Sequence, residues 1–211
     1  MSDYFALLDE PRRPWLNVDL LKAKFLACSV PVHPDRCHAA SPDEQRTAQQ
    51  RFAEFNAAYC ALADPKERLL HLLTLEQGAP PRNVQRLPPG TMDLFAEIGQ
   101  ACREVDQFLA ASVPENSPML KLQRFQKGLA WAETLRALEH KVQAQRETLL
   151  HELKTLNPVW EGAPPLGDPS RPAVLALDRL EVTYRRLSYL SRWAEQLRER
   201  SVTLSLPTGS L

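Results

Sequence analysis

The chain has 211 residues, with 26 Lys and Arg against 26 Asp and Glu. It is long enough to bury one or two hydrophobic cores, and its net charge of zero offers nothing to a polyanion. The balance is also local, since residues 1–90 carry 11 cations and 11 anions and the remainder 15 of each, so nucleic acid and anionic membrane are excluded as electrostatic partners. Leu occurs 34 times, Val 11 times and Ile once. That choice suits helix interiors, where β-branched side chains lose rotamer freedom, and predicts an all-α fold.

The opening MSDYFALLDEPRR has no basic stretch followed by an apolar run, and no window approaches 18 uninterrupted apolar residues. Neither export nor membrane insertion is encoded there, which predicts a cytoplasmic protein. Cys28, Cys37, Cys60 and Cys102 are widely spaced without a CxxC pair, so no zinc ribbon or redox dithiol is expected and the thiols are predicted to be reduced and mostly packed.

Eighteen prolines outline the helices, because proline inside a helix removes a hydrogen bond and clashes with the preceding turn. The proline-free windows are 15–30, 43–64, 66–79, 90–113, 119–157 and 173–206. The first holds an apolar helix from Val18 to about Val30, and His33-Pro34-Asp35 follows it. Ser41-Pro42-Asp43-Glu44 then starts a helix that runs toward Asp64-Pro65: serine caps, proline suits the first helical position, and Glu44 reaches back to the cap amide. Residues 78–90 begin Gly-Ala-Pro-Pro, end Leu-Pro-Pro-Gly and lack a hydrophobic period, which predicts an interdomain linker. Met92 to Ala111 supplies a shorter helix. In 119–157 the residues Leu122, Phe125, Leu129, Ala132, Leu135, Leu138, Val142, Leu149, Leu153 and Leu156 draw one stripe along a long helix. A loop from Trp160 to Pro172 leads to the last window, which repeats the pattern and pairs antiparallel with the first rod.

Few residues invite catalytic chemistry. His33, Cys37 and His38 are close in sequence, but their spacing fits no standard zinc site and no second cluster completes four ligands, so no metal is expected. His140 and His151 sit among charges on the long helix and are predicted to be solvated. There is no nucleophile elbow and no Gly-rich phosphate loop. No cofactor is called for.

The context of His33-Pro34-Asp35 is specific. The chain opens Asp3-Tyr4-Phe5-Ala6-Leu7-Leu8, and the second long helix ends Phe52-Ala53-Glu54-Phe55-Asn56-Ala57-Ala58-Tyr59-Cys60-Ala61-Leu62-Ala63-Asp64-Pro65-Lys66-Glu67-Arg68. Over residues 3 to about 75 this resembles a J domain: a short first helix, an antiparallel helix pair and an HPD loop at its tip. Arg68-Leu69-Leu70-His71-Leu72-Leu73-Thr74-Leu75 further resembles the run by which HscB-type co-chaperones leave the J domain, with His71 in place of the usual tyrosine. Those proteins carry a C-terminal bundle of one shorter and two long helices, which matches the rods inferred from periodicity. The expected organisation is a J domain at 1–77, a proline-rich linker at 78–90 and a client-binding three-helix bundle at 91–206.

The resemblance implies a non-enzymatic co-chaperone that stimulates the ATPase of a DnaK/HscA-class heat-shock chaperone and delivers an iron-sulfur cluster scaffold protein to it. In the family the HPD loop docks on the chaperone, which assigns His33, Pro34 and Asp35 to that contact. J domains also present several cations along the second helix; here only Lys22, Lys24 and Arg36 remain, and Pro31 ends the helix early. Met92, Leu94, Phe95 and Ile98 fall where HscB-type proteins expose an apolar patch to the scaffold protein. The same spacing also suits residues that simply pack the bundle. Two alternatives stay open: a general J-domain adaptor with another client, and a structural or regulatory protein whose J domain is degenerate.

Overall fold

The structure is a computed structural model that describes residues 2–36, 41–81, 90–111 and 117–205. Every regular element among them is helical: α1 Tyr4–Leu7, α2 Val18–Ser29, 3-10 turns at Val30–Val32 and Pro34–Arg36, α3 Pro42–Ala63, α4 Pro65–Gln77, α5 Met92–Ala110, α6 Pro118–Glu161, α7 Arg171–Val174 and α8 Leu177–Ser205. Cys37 and His38 lie outside the described residues, as does most of the expected linker. The chain separates into two compact units that are not sequential. The first joins Met1–Asn83 to Leu150–Tyr184, and the second joins Val84–Leu149 to Arg185–Leu211. Both α6 and α8 therefore contribute to each unit.

In the first unit, local chemistry sets the helix ends. The Asp3 carboxylate accepts from the amides of Phe5 and Ala6, and the Asn17 side chain from those of Asp19 and Leu20. Ser41 and Glu44 form a reciprocal capping box at the start of α3, satisfying amide donors that have no partner within the helix. Asp64 closes α3 and opens α4, its side chain accepting from the Glu67 amide at 2.9 Å. Gly78 ends α4 at φ 74, a left-handed position that glycine adopts without a Cβ penalty. The pair α2 and α3 is antiparallel, with Phe25 stacked on Tyr59 at 4.7 Å and His33 edge-on to Phe52 at 5.1 Å. Phe5, Leu8, Leu16, Leu21, Leu62 and Leu69 are fully or almost fully buried, and each side chain of this size contributes about 2 kcal/mol through burial.

Residues 150–184 complete this unit. Asn157 makes a two-point amide clamp on Trp15, accepting from its N–H at 3.0 Å and donating to its carbonyl at 2.9 Å. The Lys154 ammonium lies 4.9 Å from the Trp15 ring centroid. Trp160 and Leu153 are buried. Helix α6 runs through Pro158 to Glu161, four residues past the end of its proline-free window. In the last turn proline removes only one donor, and the Gly162 amide still closes on the Pro158 carbonyl at 3.0 Å.

In the second unit α5 turns Leu94, Ile98, Ala101, Cys102 and Val105 inward, and Leu135, Leu138 and Val142 of α6 and Leu190, Trp193 and Leu197 of α8 are buried as well. Ion pairs Lys141–Glu97 at 2.5 Å and Arg200–Asp106 at 2.7 Å join the helices at the surface. The single stripe expected along α6 divides here. From Leu135 onward its members are buried, whereas Leu122, Phe125 and Leu129 are exposed. Each step of three residues falls about 60° short of a full turn at 100° per residue, so the three successive steps from Leu129 to Leu138 carry the stripe about 180° around the helix.

Candidate functional site

The HPD loop is shaped from both sides by proline. Pro31 cannot extend α2, so the chain tightens into the 3-10 turn Val30–Val32. Pro34 holds His33 extended at φ −63 and ψ 135 and opens the turn Pro34–Arg36. The Arg36 amide closes on the His33 carbonyl at 2.9 Å. The Asp35 amide donates to His33 Nδ1 at 3.3 Å, and the Asp35 carboxylate lies 3.6 Å from the same nitrogen. An accepting Nδ1 leaves the neutral ring's proton on Nε2. The imidazole thus rests on Phe52 and is fixed by its own loop, while Asp35 is exposed. Glu44, next to the loop in the capping box, is held below the usual carboxylate range by its hydrogen bonds to the Ser41 side chain and backbone.

Of the three cations singled out beside the loop, Lys22 and Arg36 are exposed. Lys24 instead engages the turn between α1 and α2: its ammonium donates to the Asp9 carbonyl and pairs with Glu10 at 3.0 Å. Asp9 adopts φ 52, a left-handed conformation that aspartate tolerates better than most residues. Among the cations of this helix, the partner of Lys24 is therefore within its own domain.

Three supports of the site come from α4. Arg68 is 1% exposed and donates to the carbonyls of Pro14 at 2.9 Å and Leu62 at 2.7 Å, tying the approach to α2 onto the end of α3. Burial lowers its pKa to about 10, opposed by the nearby charge of Asp64. Glu76 receives Arg171 through both carboxylate oxygens at 2.9 and 3.1 Å and Arg12 at 3.3 Å, and Arg12 is itself bound to Asp3 at 2.7 Å. His71 stacks on Tyr4 at 4.4 Å, and its Nε2 accepts the Tyr4 amide at 3.0 Å, adding an acceptor at the first turn of α1 that a tyrosine ring edge would not supply.

Burial pushes the His71 pKa below its ordinary value, with Asp3 opposing the shift and Arg12 adding to it. The folded state then binds a proton less readily than the unfolded chain. Stability is fully present above the ordinary histidine value of about 6.5 and declines as pH falls through it. Thermal melts at successively lower pH should show this loss, and His71→Tyr should flatten it; an equal slope in both proteins would assign the effect to other groups.

The four residues picked for client binding separate on α5. Met92 and Phe95 are 60% and 44% exposed, while Leu94 at 6% and Ile98 at 1% belong to the bundle core. Phe95 leans on Trp193 at 6.1 Å, and Trp193 in turn meets Tyr189 at 5.9 Å. The outer flank of α5 is thus apolar and backed by aromatic rings. Among the described residues no group of three or more metal-ligating side chains gathers, and no helix is long and apolar enough to cross a membrane.

No family model matches the chain. It is 40% identical to the co-chaperone protein HscB homolog of Bordetella petrii over 71 residues, which is 34% of this chain and 42% of the relative. To that of Vibrio cholerae it is 32% identical over 113 residues, 54% of this chain and 65% of the relative, and to that of Aliivibrio salmonicida 28% over 152 residues, 72% and 78%. The chain spans less than half the length of the first relatives it matches. Among solved structures, the Vibrio cholerae chaperone HscB superposes with a TM-score of 0.59 at 22% identity, covering 96% of this chain and 99% of that one. The human co-chaperone protein HscB gives 0.60 at 19%, covering 96% and 83%. The chain is thus similar in sequence to HscB-type co-chaperones and shares their fold along nearly its whole length.

Proposed function

We propose that the protein is a co-chaperone that stimulates the ATPase of a DnaK/HscA-class heat-shock chaperone through its HPD loop and brings to it an iron-sulfur cluster scaffold protein. The observation that carries this reading is the loop itself: His33 and Asp35 are presented at the tip of an antiparallel helix pair, held by each other and by Phe52. A rigid polar tip of this kind is a contact for another protein. The J domain, residues 1–77, carries the chaperone contact, and residues 91–206 carry the client. The test is the ATPase rate of the purified DnaK- and HscA-class chaperones of the same cell, measured with increasing amounts of this protein, together with capture of the iron-sulfur scaffold protein. No acceleration of either chaperone would overturn the reading.

The client contact is assigned to Met92 and Phe95, with Leu94 and Ile98 supporting them from the core. Methionine and phenylalanine adapt readily to a partner's groove. Met92→Ala with Phe95→Ala is expected to weaken scaffold binding by about tenfold or more, as loss of an interface anchor does, with little change in melting temperature. Leu94→Ala should instead cost about 2–4 kcal/mol of stability, as a buried truncation does. Calorimetric titration of the scaffold protein into both variants separates the two roles, and a stable double variant with normal affinity would remove the site from α5.

A further inference from the structure

A helix in a bundle carries an apolar stripe toward each neighbour it covers. Over residues 118–132 helix α6 carries two, and only one of them has a neighbour among the described residues. Toward α5, Arg124 donates to the carbonyls of Leu109 and Ala111 and lies 5.0 Å from the Phe108 ring centroid. Gly128 brings its backbone onto the same ring, which a Cβ there would meet at 3.8 Å. The second stripe, Leu122, Phe125, Leu129 and Ala132, is set about 100° around from the first and advances in steps of three, four and three, the spacing of a helix–helix seam. Further along, the same side is covered: Glu139, two heptads on from Phe125, accepts from the Ser201 hydroxyl of α8 at 3.2 Å. The described part of α8 reaches only Ser205, about 6 Å beyond Ser201 at 1.5 Å per residue. Before that level α6 has no described helix on this flank, and Met119, Leu120, Leu122, Phe125 and Leu129 are 41–70% exposed.

We infer that this stripe is the interface of a homodimer, in which residues 118–132 of α6 pack antiparallel against the same segment of a second copy. With the two-fold axis level with Lys127, Leu122 of each copy meets Ala132 of the other and Phe125 meets Leu129, so a larger side chain falls opposite a smaller one along the whole seam. The charges bordering the stripe are Lys121 on one side and Glu133 on the other. One of each sign attracts neither a strongly acidic nor a strongly basic partner, and the antiparallel pairing brings Glu133 of each copy level with the positive N-terminal end of the other's helix. Arg136 occupies the next position of the repeat and ends it. The area agrees: a fully exposed side chain of this size presents about 150–200 Å², so the five leave about 500 Å² in water on one chain and about 1,000 Å² on two, the lower bound for a specific interface. The place that α8 takes further along α6 is thus taken here by the second copy.

The experiment is sedimentation equilibrium of the full-length protein. Between about 1 and 200 µM the mass should rise from one chain to two, with a dissociation constant of about 1–100 µM for an interface of this size. Phe125→Gln with Leu129→Gln places good helix formers at exposed positions and should raise that constant about a hundredfold or more, because each dimer loses four anchors, while helicity and melting temperature stay unchanged. Leu122→Lys should act in the same direction and decides the matter if the double variant melts early. Met92→Ala with Phe95→Ala changes α5 alone and should leave the dimer intact. A parent protein that keeps one chain mass throughout, a dimer that persists in both the double variant and Leu122→Lys, or a dimer lost with Met92 and Phe95 would each overturn the inference. A monomeric parent whose affinity for the iron-sulfur scaffold protein falls in the Phe125→Gln, Leu129→Gln variant would assign the stripe to the client and overturn it equally.

Discussion

Replacing His33 by Gln is expected to return the chaperone ATPase to its basal rate while the fold survives. His33 is at a loop tip, where it contributes one edge contact with Phe52 and one acceptor for the Asp35 amide. An aromatic pair of this kind contributes about 0.5–1.5 kcal/mol, which in a chain of this length lowers the melting temperature by only about 2–5 °C. As an interface anchor the same side chain is worth about 2 kcal/mol or more, a factor of about 30 in affinity. Glutamine keeps an acceptor for the amide but presents no ring to Phe52 and no aromatic N–H outward. Single-turnover ATPase assays and thermal melts of the same samples separate the outcomes. Retained stimulation would exclude the loop as the contact, and a collapse of the melting temperature would make the motif a structural turn.

Replacing Glu76 by Ala should have the largest effect on stability. Arg171 and Arg12 both converge on this carboxylate, and the side chains of Glu76 and Arg171 are almost fully buried. Removing one member of a buried network strands the others, at a cost of about 3–5 kcal/mol, or a fall in melting temperature of about 10 °C in a protein of this size. The cost arises from the unpaired guanidinium groups more than from the lost attraction. Glu76→Leu combined with Arg171→Met should therefore recover much of the loss, because neither retains a buried charge. If Glu76→Ala melts within about 2 °C of the parent, water reaches the network and Glu76 contributes as a surface pair does.

What could be read from the sequence was local. Ser41-Pro42-Asp43-Glu44 and Asp64-Pro65 mark helix ends because the partners lie three residues away, and the structure pairs them as expected. His33-Pro34-Asp35 was legible for the same reason. The sides of helices were not. Periodicity grouped Met92 with Phe95 and Leu94 with Ile98, but only packing decides which flank faces water, and it is the first. Leu122, Phe125 and Leu129 share the spacing of Leu135 and Leu138, and the rotation that exposes them builds up in the three short steps from Leu129 to Leu138. The pairing of Lys24 with Glu10, across a turn, is likewise unmarked in the sequence around either residue. The pairing of Glu76 with Arg171 spans 95 residues and leaves no mark in either neighbourhood. His71 announced itself only as a departure from a family pattern, and its acceptor role toward Tyr4 depends on a contact 67 residues away.

The compact unit that contains the HPD loop takes in Leu150–Tyr184 as well as the first 83 residues, and this has a meaning for synthesis. Chain growth is vectorial, so the helices that present the loop leave the ribosome well before the segment that supplies Asn157 to Trp15 and Arg171 to Glu76. At about 5–20 residues per second, the interval is of the order of 5–20 s. Throughout it the nascent helices α1 to α4 exist without their amide clamp, and of the two arginines that meet Glu76 in the described residues Arg12 alone has been made. The protein's own N-terminal third is thus, for that period, an incompletely covered nascent chain.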